Sequence, residues 1–247
     1  MVKRLVIDVL TNGVWWRALA FAGLVAMLPH TVSAADAQDV ERDWTFVRQV
    51  LLTYEFKKGN GNIYRWSRSP RYFAFLKHPS QNGAVRRAID QINTVLDGIH
   101  VILVSQRPVK YDALISVIDQ SEMQRIWAAA GCGEFFKHEV DGATCIHVDA
   151  ETDAIDSVLV LIDEDQDEHA QASALLEEIY QSFGVRNDHQ IFYESLTYDG
   201  RDRVHRTKLA PIDKKVLIFL YKYLEPGDDE ATVRRKFDAH WYEIVVE

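Results

Sequence analysis

No GxGxxG, GxxxxGK[ST] or GxSxG stands anywhere in the 247 residues, so the sequence offers no glycine-built phosphate cradle and no serine nucleophile elbow. Basic charge is also short. Lys and Arg number 28 against 37 Asp and Glu, a net charge of −9. A field of that sign repels nucleic acid, and no nucleic-acid partner is expected. Cysteine is nearly absent, with Cys132 and Cys145 the only two, and neither belongs to a CxxC pair. Long apolar runs are missing too. The longest, Ala18 to Pro29, covers about 12 residues, against the roughly 20 that a membrane-spanning helix needs.

That short run has the flanks of an export signal. Lys3, Arg4 and Arg17 precede it, and Val32-Ser33-Ala34 follows with small residues at the two positions signal peptidase reads. The expectation is a signal peptide over residues 1–34, cleavage before Ala35, and a periplasmic or secreted product with no membrane span. Cleavage removes Lys3, Arg4 and Arg17 together with Asp8, which takes the net charge from −9 to −11. About 210 residues remain, enough for one domain with a real core. In an oxidising compartment the simplest reading of Cys132 and Cys145 is a disulfide, closing a loop worth about 3 kcal/mol by chain entropy. The alternative, a reactive or metal-binding thiol pair, has no nearby ligand motif in the sequence.

Hydrophobic periodicity sets out the elements. Trp44, Val47, Leu51 and Tyr54 recur at helical spacing within Val40 to Phe56, an N-terminal helical extension (35–59) after a frayed start. Ile63 to Leu76 interleaves Tyr64, Trp66, Tyr72, Phe73 and Phe75 with Arg65, Arg68 and Arg71. Such a mixture can stack nucleic-acid bases. In an acidic chain it reads instead as strand formers with solvated arginines. Asn82 can cap a helix to Gly98, with Val85, Ala88, Ile89, Ile92, Val95 and Leu96 on one stripe. Strands are expected over 100–105, 113–119 and 156–163, the last central because its apolar run is continuous. Short helices follow over 121–130, 211–224 and 229–240. Asp163 to Glu168 is almost entirely acidic, but it lacks the glycine and distal glutamate of an EF-hand.

The most specific stretch runs from Glu177 to Asp188, on a helix expected over 169–184. Ala172, Leu176, Ile179 and Phe183 form its buried stripe, with Glu177 and Gln181 one turn apart on the opposite side. Glu177, Glu178, Gln181, Gly184 and Asn187, with Asp188 adjacent, carry the spacing of HExxHxxGxxH/D without either histidine. In a zinc peptidase two histidines four apart grip the metal, and the glutamate between them takes a proton from bound water. Glu178 holds the general-base place here. Glu177, Gln181 and Asn187 hold the ligand places. A carboxylate with two amides is a poor zinc set, and an oxygen-rich one would suit Ca²⁺ or Mg²⁺ if any metal bound. No resident cofactor is expected. Two histidines, His169 and His189, lie near in sequence, neither at ligand spacing to the other. As bare pattern, EExxQ also reads as an ordinary solvated helix face. If the cluster is buried, Gln181 and Asn187 should hydrogen-bond the carboxylates and the turn, and one of the adjacent acids should hold its proton.

Taken with Arg65-Trp66, Ile191-Phe192, Asp213, Leu220-Tyr221 and Pro226-Gly227, these residues resemble an uncharacterised family of exported bacterial proteins with a degenerate zincin signature. The resemblance implies an α+β, zincin-like (metzincin-type) domain over 60–247, with a mixed sheet, a long upstream helix, a signature helix and a C-terminal helix. It implies a groove beside an edge strand, where an unidentified peptide or protein could add, and no known reaction. Three roles remain open: a non-catalytic peptide- or protein-binding module, an unorthodox metal-dependent hydrolase using Glu178, or a purely structural exported protein.

Overall fold

The computed structural model describes residues 34–53, 61–105, 110–133, 140–202 and 204–246. Residues 1–33, which carry most of the expected export signal, lie outside the described residues, as do Tyr54 to Phe56 at the end of the expected first helix. Six α-helices and five strands are described. The helices are α1 (Ala34–Leu52), α2 (Pro79–Val95), α3 (Gln120–Ala129), α4 (Glu168–Gln181), α5 (Pro211–Tyr223) and α6 (Glu230–His240). The strands are β1 (Arg71–Phe75), β2 (Ile102–Val104), β3 (Ala113–Ile118), β4 (Gly142–Val148) and β5 (Ile155–Asp163).

The fold is α+β around one mixed sheet of order β2-β1-β3-β5-β4. Four strands are parallel, and β4 runs antiparallel to β5 at the edge. The two longest apolar runs, in β3 and β5, pair in the middle, with Ile115 opposite Val160 and Val117 opposite Ile162. Central position follows from composition, since a strand covered on both faces has no side to give to polar residues. One face carries the main core, to which α1, α2, α4, α5 and α6 all contribute. The opposite face holds a smaller core of Met123 and Trp127 from α3 against Leu159, Leu161, Ala143 and Cys145. The disulfide Cys132–Cys145 sits there and ties the end of α3 to β4, as the sequence led us to expect.

Several boundaries differ from the periodicity for local reasons. Helix α2 begins at Pro79, because proline suits a first turn and the Gln81 side chain accepts from the Lys77 and His78 amides. Asn82 is therefore no cap, and its side chain accepts from Arg86 one turn on. Helix α1 begins already at Ala34, where a frayed end was expected. Its Phe46, Val47, Val50 and Leu51 are fully buried in the main core. Strand β4 is an addition to the sequence reading, since Gly142 and Thr144 dilute its apolar pattern. Among the described residues no helix is long and apolar enough to cross a membrane.

Candidate functional site

Helix α4 is buried almost all round. Asp167 caps its start, its carboxylate accepting from the His169 and Ala170 amides at 2.8 and 2.9 Å. Those donors hold the Asp167 carboxyl below its usual range. The acidic run thus divides into structural tasks: Asp167 caps, Glu164 pairs with Lys77, and Asp163 accepts from the Asp165 amide. Packed between the sheet and α2, α4 buries Ser173 through Tyr180 without a break. Glu177 and Glu178 are 5% and 7% exposed, so neither lies on a solvated face.

Glu178 faces the edge strand. Its backbone carbonyl accepts from Thr144 Oγ1 at 3.0 Å, and a Cβ added to Gly142 would stand 2.8 Å from its Cγ. Only glycine lets β4 approach the helix so closely. Gln181 and Asp188 come together, with Gln181 Nε2 donating to Asp188 Oδ1 at 3.2 Å. Asn187 turns elsewhere, donating to Thr53 Oγ1 at 2.6 Å, while Gln49 of α1 donates to the Asp188 carbonyl. These amides brace the turn after α4 against the end of α1. His169 lies against the His205 ring. His189 is buried and edge-on to Phe46 at 4.5 Å.

The turn itself is tightly constrained. Gly184 has φ +102°, and a Cβ there would sit 1.9 Å from the Tyr64 carbonyl oxygen. Around it the scattered features of the resemblance converge. Trp66 Nε1 donates to the Ser182 carbonyl at 3.1 Å, and Tyr221 Oη donates to the Phe183 carbonyl at 3.0 Å. Tyr72 Oη and Ser182 Oγ share a hydrogen bond of 2.6 Å. Arg65 donates to the Leu220, Tyr221 and Leu224 carbonyls, placing a cation at the negative end of α5. Arg186 stacks on Tyr64 and donates to the Leu51 and Asn62 carbonyls. Burial raises the Tyr72 and Tyr221 phenols, so both remain neutral donors.

A second buried knot pins the following loop. Asp213, fully buried at the start of α5, accepts from Ser195 Oγ at 2.6 Å and from the Leu196 and Ala210 amides. Burial outweighs these donors and pushes its carboxyl up to about 6. The sequence reading missed Ser182, Tyr72, Arg186 and Ser195 as partners, because each acts through a backbone group or residue more than ten positions away. Asp213 was visible in sequence as part of the resemblance, without a role.

Chemically, the arrangement around 177–188 does not fit zinc. Gln181 and Asn187 are committed to Asp188 and Thr53, on the α1 side of the helix, while Glu178 lies against β4. Among the described residues, side chains close enough to share a metal ion occur elsewhere, at Cys132, Cys145 and His147. A shallow indentation between α2 and α4, lined in part by Arg87, Gln91 and Thr207, has about 10 Å³ of room, enough for one water.

No curated protein matches the chain. A family model does, over residues 40–239, a span that runs from α1 through α6 and includes both buried knots. The chain therefore belongs to the family described as Protein of unknown function (DUF2927).

Proposed function

We propose that this chain is an exported, non-catalytic binding module on a zincin-like frame, taking an extended peptide or protein segment at the outer edge of β4. The observation that carries the reading is the position of β4: the single antiparallel strand, last in the sheet, running beside the signature helix. The Asp163 amide donates to the Asp141 carbonyl. Alternation from that pair turns the amides and carbonyls of Gly142, Thr144 and Ile146 away from β5. Among the described residues no strand pairs with that edge. An incoming strand gains its affinity from such main-chain groups. The hydrogen bonds that occupy Gln181 and Asn187 support a frame no longer used to grip zinc.

The test is a displayed random-peptide library screened on the purified protein with and without chelator. Peptides should be enriched on the wild type and on Thr144→Val, which keeps the outward amide. They should weaken at least tenfold on Thr144→Pro, which removes it at an edge position that tolerates proline. Chelator should leave binding intact. Failure to enrich any peptide, or cleavage of those enriched, overturns the proposal; chelator-sensitive cleavage would favour a hydrolase using Glu178. Export is tested separately, by fractionation and by sequencing the mature terminus, expected at Ala35.

A further inference from the structure

A different cluster lies on the opposite face of the sheet. Cys145 and His147 are two residues apart on β4 and so share a face. Cys132 reaches them from the turn that follows α3 and is joined to Cys145. The His147 Nε2 atom stands 3.6 Å from Cys145 Sγ and 4.0 Å from Cys132 Sγ. Cys132 and Cys145 are buried, at 8% and 7% exposure, while His147 is only half-buried and gives access from solvent.

These distances suit a shared ion. With Zn–S about 2.3 Å and Zn–N about 2.0–2.1 Å, a tetrahedral centre holds a sulfur and a nitrogen ligand about 3.6 Å apart and two sulfurs about 3.8 Å apart. Both sulfur–nitrogen separations are already near that value. Only the sulfurs are too close, because they are bonded to one another. Gly131 and Gly133 flank Cys132 at φ +74° and +94°, and open space surrounds Gly131. Cys132 thus stands between two glycines, whose backbone freedom gives its sulfur room to retreat.

We propose that Cys132, Cys145 and His147 form a redox-gated zinc site, closed as a disulfide and opened by reduction. Two equivalents of a monothiol reductant supply two electrons and two protons, leave as their own disulfide, and convert the Cys132–Cys145 bond to two thiols. Zinc then displaces both thiol protons and takes two thiolates and the His147 Nε2 lone pair, with the fourth position left to water. Two thiolates and an imidazole favour zinc over Ca²⁺ or Mg²⁺. The inference does not depend on the binding role proposed for the β4 edge.

The experiment compares oxidised protein with protein reduced by a phosphine, which does not compete strongly for zinc. Each is titrated with Co²⁺ and then with Zn²⁺ against a chromophoric chelator, with circular dichroism reporting the fold. Reduced protein should take up one metal ion per chain with a thiolate-to-cobalt charge-transfer band, and oxidised protein none. His147→Ala should weaken zinc at least tenfold while its oxidised form keeps the wild-type spectrum. The proposal is overturned if reduced wild type binds zinc no better than Cys132→Ser/Cys145→Ser, if His147→Ala leaves affinity unchanged, or if reduced protein unfolds and metal does not restore it.

Discussion

Replacing Gly184 by alanine should be among the most damaging single changes in this protein. Two costs add. At φ +102° an L side chain is strained by about 1–3 kcal/mol. The new Cβ would also lie 1.9 Å from the Tyr64 carbonyl oxygen, more than an ångström inside contact distance. That carbonyl cannot easily retreat. On one side Ile63 donates to the Asp228 carbonyl and accepts from the Gly227 amide, and on the other Arg65 accepts from the Ile155 amide. Relief must shift the backbone of several elements, an overpacking cost of about 1–3 kcal/mol. The alanine gains back only about 0.4–1 kcal/mol from the unfolded chain. The expected loss is about 2–5 kcal/mol, a large share of the roughly 5–15 kcal/mol that holds a domain together. Urea unfolding followed by tryptophan fluorescence measures it, since Trp66 is buried against the turn. With a slope of about 3 kcal/mol/M the midpoint should fall by about 0.7–1.7 M. Gly131→Ala separates the terms, because Gly131 has φ +74° but no atom within 4 Å of an added Cβ. It should lose only the strain part. Equal losses at the two sites, or a loss below about 1 kcal/mol at Gly184, would refute the role assigned to the Tyr64 contact.

Asp213→Ala leaves the Ser195 hydroxyl and the Leu196 and Ala210 amides without their buried acceptor, and should cost about 3 kcal/mol, read as a lowered thermal midpoint. Gly142→Ala should cost about 1–3 kcal/mol alone and at least about 1 kcal/mol less in a Glu178→Ala background, because the clash is with that side chain; a double-mutant cycle showing additivity would remove the contact from the account. Burial depresses His189 to about 4 from its usual 6.5, so its neutral form contributes stability that is present above pH 6.5 and lost as pH falls towards 4. Asp213, raised to about 6, acts in the opposite sense: its share is present below pH 3.8 and lost as pH rises through about 6. The two slopes should partly cancel in wild type, and His189→Phe should expose the Asp213 slope, with stability rising on acidification from pH 6.5 to 4.5 in urea melts.

The sheet was legible where one rule acted alone. The apolar runs 113–119 and 156–163 marked β3 and β5 as strands, the continuous run of the second marked it as central, and the two pair in the middle of the sheet. The stripe from Val85 to Ile92 found α2, although its start was decided by Pro79 and Gln81, outside the stripe. Strand β4 was hidden because its residues serve three demands at once. Gly142 is glycine for Glu178, Thr144 is polar for a carbonyl of α4, and Cys145 is held by the disulfide. None of those reasons leaves a period in the sequence. Missing β4 also hid the Cys145–His147 alternation, which becomes visible only once the segment is known to be extended.

The signature stretch shows a further limit of spacing. The intervals between Glu177, Glu178, Gln181, Gly184 and Asn187 do place a helix and a sharp turn, because a helix repeats every 3.6 residues whatever its side chains do. Spacing fixes direction around the helix, not what waits there. Glu178 meets β4, Gln181 meets Asp188, and Asn187 meets Thr53 of the α1 end. The element that fixes the turn is the 61–66 segment, with Tyr64 against Gly184 and Trp66 on the Ser182 carbonyl, more than a hundred residues earlier. A glycine three residues after Gln181 is therefore sufficiently explained by Tyr64, with no metal invoked. Gly184→Ala accordingly tests the stability of the frame, and Thr144→Pro tests its use. A loss in the first without a loss in the second would leave a well-built frame whose β4 edge has no partner.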